Sequence, residues 1–190
     1  DETRFINFLR FLSAYLQINL VWASPSGSCY LARLPLSLAS PAMTNPNTSI
    51  YIHIPFCKHR CAYCDFNTYA GQEDSIPAYV DALINEINFV GQQTTQLQND
   101  LTIHTIFFGG GTPSLLSAPQ FDSILRALRS VFTFTADAEV SIEANPGTIS
   151  PEKLNGIRKA GINRISFGVQ SANTEELRML ERIHDFFTVI

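Results

Sequence analysis

The chain has 190 residues, 45% of them hydrophobic and 16% charged, with a formal net charge of -4. That balance suits a globular protein with a sizeable core and excludes a disordered chain. The mild acidity and the lack of a dense Lys/Arg run argue against nucleic acid as a partner, which would call for a basic face.

Four cysteines, one isolated at Cys29, do not form the even, dispersed set of a disulfide-stapled secreted domain. A reducing compartment is therefore expected, with the cytoplasm as the location.

The first 48 residues differ from the rest. FINFLRFLSAYLQINLVWA (5–23) is strongly apolar but carries Arg10, and the stretch that follows is rich in Ser, Pro and Ala without a sustained period. A membrane span of marginal length, a targeting sequence and a segment outside the fold all remain open. The last is preferred, with Met43 as a candidate start, so 1–48 is expected to be an N-terminal extension and 49–190 the domain.

From residue 49 the pattern becomes regular. SIYIHI (49–54) alternates and is β-branched, which predicts a strand ending at Pro55. Ser75 and Pro77 then open a helix with Tyr79, Val80, Leu83, Ile84 and Ile87 along one face. TIHTIFF (102–108) is a second strand, and SAPQ (117–120) is a capping box opening a helix with Phe121, Ile124, Leu125, Leu128 and Val131 inward. AEVSIEA (138–144) is a third strand, followed by a helix capped at Ser150, with Pro151 first inside it and Gly161 as its stop. RISFGVQ (164–170) is a fourth, with a helix from about Asn173. Four strand–helix units in series imply a parallel α/β sheet, either doubly wound or curving toward a barrel.

In such folds ligands sit beyond the carboxyl ends of the strands. Every unusual stretch falls there: the cysteine loop of YIHIPFCKHRCAYCDF (51–66), GGGTP (109–113), EANPG (143–147) and GVQS (168–171). Cys57, Cys61 and Cys64, spaced C-x3-C-x2-C, can point three sulfurs at one centre. Zinc with His53 or His59 as a fourth ligand, a disulfide with one thiol left over, and an iron–sulfur cluster with one iron left open are the alternatives. Gly109, Gly110 and Gly111 are either a tight turn or a place where backbone approaches a ligand closely, with the Thr112 hydroxyl beside them. Glu143 ends an otherwise apolar strand and would be costly to bury unpaired.

The cysteine motif, with Tyr63 before its last cysteine, resembles that of the radical S-adenosylmethionine (radical SAM) enzymes. Together with GGGTPS, SIEANP and ISFGVQS in this order, it is similar to the branch holding oxygen-independent coproporphyrinogen III oxidase and the haem chaperone HemW, from about Ser49 to His184.

The resemblance implies a partial (β/α)6 barrel of which this chain holds the first four units, as an apparently truncated piece. It implies a [4Fe-4S] cluster on Cys57, Cys61 and Cys64 whose open iron chelates S-adenosylmethionine for reductive cleavage. Cofactor contacts are implied at Gly109, Gly110, Gly111, Thr112, Glu143, Gln170 and Arg182, and at Tyr51 toward a second S-adenosylmethionine. Outside the resemblance, Glu143 could pair with an Arg, Arg182 could be a solvated surface residue and Tyr51 a core tyrosine.

Two departures bear on activity. The oxidase has a fourth cysteine two residues after the third, whereas this chain has Phe66, the HemW pattern. RMLERIH carries Glu181 where the family has Gly, which weakens the carry-over to Arg182. The favoured function is a chaperone that delivers haem to acceptor proteins and needs an electron donor. The alternative is the oxidase, which decarboxylates coproporphyrinogen III in porphyrin synthesis. An open sheet edge further predicts poor solubility for this stretch alone.

Overall fold

The alternation of Ile50, Ile52 and Ile54 with Ser49, Tyr51 and His53 sends the isoleucines to one face of a strand and the polar residues to the other. This rule organises the computed structural model, which describes residues 19–23, 29–31, 47–96, 101–182 and 184–185. In chain order the strands are β1 (Asn19–Ala23), β2 (Cys29–Leu31), β3 (Asn47–Ile54), β4 (Phe56–Cys57), β5 (Tyr69–Ala70), β6 (Thr102–Gly110), β7 (Thr133–Ala144) and β8 (Arg164–Phe167). The helices are α1 (Ile76–Gln96), α2 (Ala118–Val131), α3 (Pro151–Ala160) and α4 (Thr174–Met179).

The main sheet has the order β2-β1-β3-β6-β7-β8, and β3, β6, β7 and β8 are parallel neighbours in chain order. A doubly wound sheet would reverse direction partway. A sequential order with right-handed crossovers instead puts every helix on one face, as in a barrel wall. Core packing agrees. Ile50, Ile52, Ile54, Ile106, Phe108, Val140 and Ile142 meet Tyr79, Leu83, Ile87, Phe121, Leu125, Leu128 and Ile157 from the helices. Phe108 and Phe121 meet edge to face at 5.2 Å and 84°. A bulge between Ile103 and Thr105 resets the parity of β6, so Ile103 and Ile106 both reach this core.

Helix ends follow their local signals. Ser117 and Gln120 form the capping box of α2. Ser150 accepts from Lys153 N–H, and Gly161 closes α3 at φ 118°. Strand ends differ more. β7 begins at Thr133, five residues before the expected 138, because the chain leaves α2 through an extended Phe132 with no loop. β8 stops at Phe167, not Gln170, because Val169 and Ser171 bond back two residues and turn the chain.

Ten residues of the stretch read as an extension also lie in the sheet, namely β1, β2 and the first two residues of β3. β1 pairs antiparallel with both β2 and β3 along the sheet's first edge. Met43 and residues 5–18 of the apolar run lie outside the described residues. Among those described, no helix is long and apolar enough to cross a membrane.

Candidate functional site

The face of the sheet away from the helices, and the loops at its carboxyl end, carry the candidate residues. On that face the Tyr51 hydroxyl lies 3.1 Å from His53 Nδ1, and its ring stacks on Phe107 at 6.1 Å. His53 Nε2–H donates to the Asn67 carbonyl at 3.0 Å, which ties the strand to the far end of the cysteine loop. Tyr51 is half-buried here, and its hydroxyl is pushed above the ordinary tyrosine value by burial first and by Glu143 second.

Glu143 stands beside Gly109 and Gly110. It is exposed on the open face, so the cost of burying it unpaired does not arise. No ion pair to it forms among the described residues. Partial desolvation raises its carboxyl above the usual carboxylate range, while a hydrogen bond from the Gly110 backbone pulls it back.

The glycine run is held against the start of the cysteine loop. Gly111 N–H donates to Ile54 O at 2.8 Å, Thr112 N–H to Phe56 O at 2.7 Å, and the Thr112 hydroxyl to Cys57 Sγ at 3.6 Å. Gly110 has φ 110°, where a β-carbon would also fall 2.6 Å from the His53 ring. The glycines thus serve the packing of the protein on itself at the rim, a role their run of three did not announce.

Cys57 is buried, while Cys61 and Cys64 are part-exposed, and all three are free thiols. Burial pushes the Cys57 thiol above its ordinary value, with Cys64 and Cys61 adding in the same direction and the Thr112 hydroxyl opposing. Cys64 N–H donates to Cys61 O at 3.0 Å, a tight turn that keeps the last two cysteines together. Among the described residues no three His, Cys, Asp or Glu side chains converge as ligands of one ion. The three sulfurs therefore do not meet at one point as the spacing suggested. A cluster makes a different demand, because each thiolate takes a different iron.

Arg182 reaches this loop from the far end of the described chain. Its Nη1 donates to Cys61 Sγ at 3.3 Å and to the Tyr63 hydroxyl at 3.4 Å, and its Nη2 to Gly168 O at 2.9 Å. It is thus a part-buried residue of the rim, not a solvated one. Gln170 sits close by in a left-handed conformation at φ 69°, with its amide nitrogen facing Gly168. Strained backbone of this kind concentrates at functional sites.

Between these groups lies a cleft lined by Lys58, Cys61, Thr112, Asn145, Thr148 and Arg182. Asn145 Oδ1 and Arg182 Nε are buried with no hydrogen-bond partner among the described residues. Orphaned polar atoms facing a cleft suit a polar ligand. Asn145 carries no charge to mark it within EANPG, and only the fold places its side chain at the cleft.

The family model described as the Radical SAM superfamily matches residues 51–190. Heme chaperone HemW of Escherichia coli (strain K12) is 43% identical over 141 residues, 73% of this chain and 36% of that protein. Heme chaperone HemW of Bacillus subtilis (strain 168) is 43% identical over 145 residues, 74% of this chain and 37% of that protein. The chain therefore spans a little over a third of these relatives' length. Among solved structures, coproporphyrinogen III oxidase (HemN) from Escherichia coli, a radical SAM enzyme, superposes with a TM-score of 0.65 at 35% identity, covering 73% of this chain and 31% of that one.

Proposed function

Because the chain belongs to the radical SAM superfamily, we propose that it is part of a HemW-like haem chaperone. In this proposal Cys57, Cys61 and Cys64 hold a [4Fe-4S] cluster, S-adenosylmethionine binds beside it, and haem is the cargo passed to acceptor proteins. When bound, a cluster with one iron free of protein thiolates supplies an electron to a coordinated sulfonium.

The chain's own residues then have distinct tasks. Cys57 anchors the loop at the end of the sheet, and hydrogen bonds to Cys57 Sγ and Cys61 Sγ from Thr112 and Arg182 tune the sulfurs' electron density. Gly109, Gly110 and Gly111 expose backbone to the ligand's amino group, and Glu143 accepts from ligand hydroxyls. Arg182, through an Nε–H with no partner among the described residues, and Gln170 complete the polar wall. Tyr51 faces the interior, where a second ligand or cargo would lie.

The observation that carries the chaperone reading is Phe66. At the position of the oxidase branch's fourth cysteine this chain places an aromatic ring that is 63% exposed and offers no thiol. The names of the relatives support the same reading. An electron donor is a further partner, and the cytoplasm the proposed location.

Anaerobic reconstitution of the full-length protein, with haem binding and protoporphyrinogen formation both assayed, tests this. Haem binding without product is expected. Formation of protoporphyrinogen at a useful rate overturns it in favour of the oxidase.

A further inference from the structure

The helix α4 ends in paired hydrogen bonds, Glu181 N–H to Arg178 O at 3.0 Å and Arg182 N–H to Leu177 O at 2.8 Å. This closure needs a left-handed residue just past the helix, and glycine fills that place at many helix ends. Here Glu181 fills it, at φ 52°. A β-carbon is disfavoured in that conformation, so the carboxylate should be doing something a glycine could not.

Its partner lies on the cysteine loop. His59 Nε2–H donates to Glu181 Oε2 at 3.3 Å, and His59 stands between Cys57 and Cys61. The adjacent Arg182 grips the same loop at Cys61 Sγ and the Tyr63 hydroxyl. Two consecutive residues at one helix end thus hold three side chains of a loop more than a hundred positions earlier in the chain. His59 and Glu181 both line the cleft described above.

We infer that Glu181 is a positioning residue of the cysteine loop. Its carboxylate closes a clasp on His59 that fixes the loop against the end of α4 and limits access to Cys61. The clasp stands on the geometry alone, whereas a role in retaining iron rests on the cluster proposed above.

Thiol reactivity in metal-free, full-length protein reads the clasp directly. Glu181→Gly is expected to speed iodoacetamide alkylation of Cys61 about two- to fivefold, the factor one exposed charge-assisted contact carries. The same variant should melt close to wild type, because relief of the left-handed backbone offsets the lost contact, so the faster alkylation is not global unfolding. Glu181→Gln retains an acceptor for His59 and should alkylate at nearly the wild-type rate. Alkylation of the Gly variant at the wild-type rate, or a Gln variant as reactive as Gly, overturns the inference. Reconstituted protein separates the two claims. Faster loss of iron to a chelator in Glu181→Gly supports the retention role, and equal loss overturns it. A wild type that takes up no cluster while the alkylation pattern holds leaves the clasp standing and removes the proposed function.

Discussion

A β-carbon at position 111 would lie 2.6 Å from the Phe56 carbonyl oxygen and 3.0 Å from both the Ile54 carbonyl oxygen and Cys57 Sγ. Two of these atoms are backbone and cannot swing aside. Gly111→Ala is therefore expected to cost roughly 2–3 kcal/mol in a denaturant melt, the range of an overpacked core. At Gly147 a β-carbon meets nothing within 4 Å, so Gly147→Ala should stay within about 0.5 kcal/mol. Equal losses at the two sites would contradict the packing argument.

Glu143 gives a prediction in pH. Desolvation raises its carboxyl in the folded state, so the folded state holds a proton more readily than the unfolded one. Its contribution favours folding below the ordinary carboxylate value and is lost as pH rises through the raised one. Glu143→Gln, which mimics the protonated form, should melt higher than wild type at neutral pH, by about a degree or two for a half-solvated group. The gap should close on acidification. A gap that widens toward low pH would contradict the assignment.

At this scale the cysteines, the glycines and Glu143 were legible as chemistry in a linear motif. Their surroundings were not. The Tyr51–His53 bond needs only one strand. The contacts of Gly111 with Cys57, and of Glu181 with His59, join segments that only the tertiary fold brings together.

Among the elements, α2 rests on signals that act within one turn. Its Ser117 hydroxyl caps Gln120 N–H while the Gln120 side chain bonds back to Ser117 N–H. Ser117→Ala is expected to cost about 1 kcal/mol, lowering the melting temperature by roughly 2–4 °C. No change would mean that the cap is idle. Because caps are local, the starts of α2 and α3 could be read directly from Ser117 and from Ser150-Pro151. Strand limits were legible only in part. Phe134 and Ala136 alternate with Thr133, Thr135 and Asp137 as a strand would, and Thr133 and Phe134 extend β7 by pairing with Thr102 and Ile103 of β6. Pairing of β2 onto β1, and of β1 onto β3, was hidden, since Ser, Pro and Ala around them mask any strand pattern.

For the whole molecule, the count of strand–helix units was legible, but the choice between a doubly wound sheet and a barrel wall was not. That choice lies in the neighbour order β3-β6-β7-β8, which no segment encodes by itself. The same order leaves β8 paired on one side only among the described strands, with Phe167 41% exposed on it. An unprotected parallel edge recruits further strands. These 190 residues alone should therefore self-associate with rising concentration, as followed by light scattering, and a monodisperse monomer with a cooperative melt would contradict this.

Everything proposed about activity depends on an iron–sulfur cluster with one iron that no cysteine occupies. The most direct test is electron paramagnetic resonance of reduced, oxygen-free full-length protein, recorded with and without S-adenosylmethionine alongside metal and sulfide analysis. About four irons and four sulfides per chain are predicted, with a cluster signal that shifts when the sulfonium ligand is added. Zinc in place of iron, or a signal indifferent to the ligand, would contradict the account.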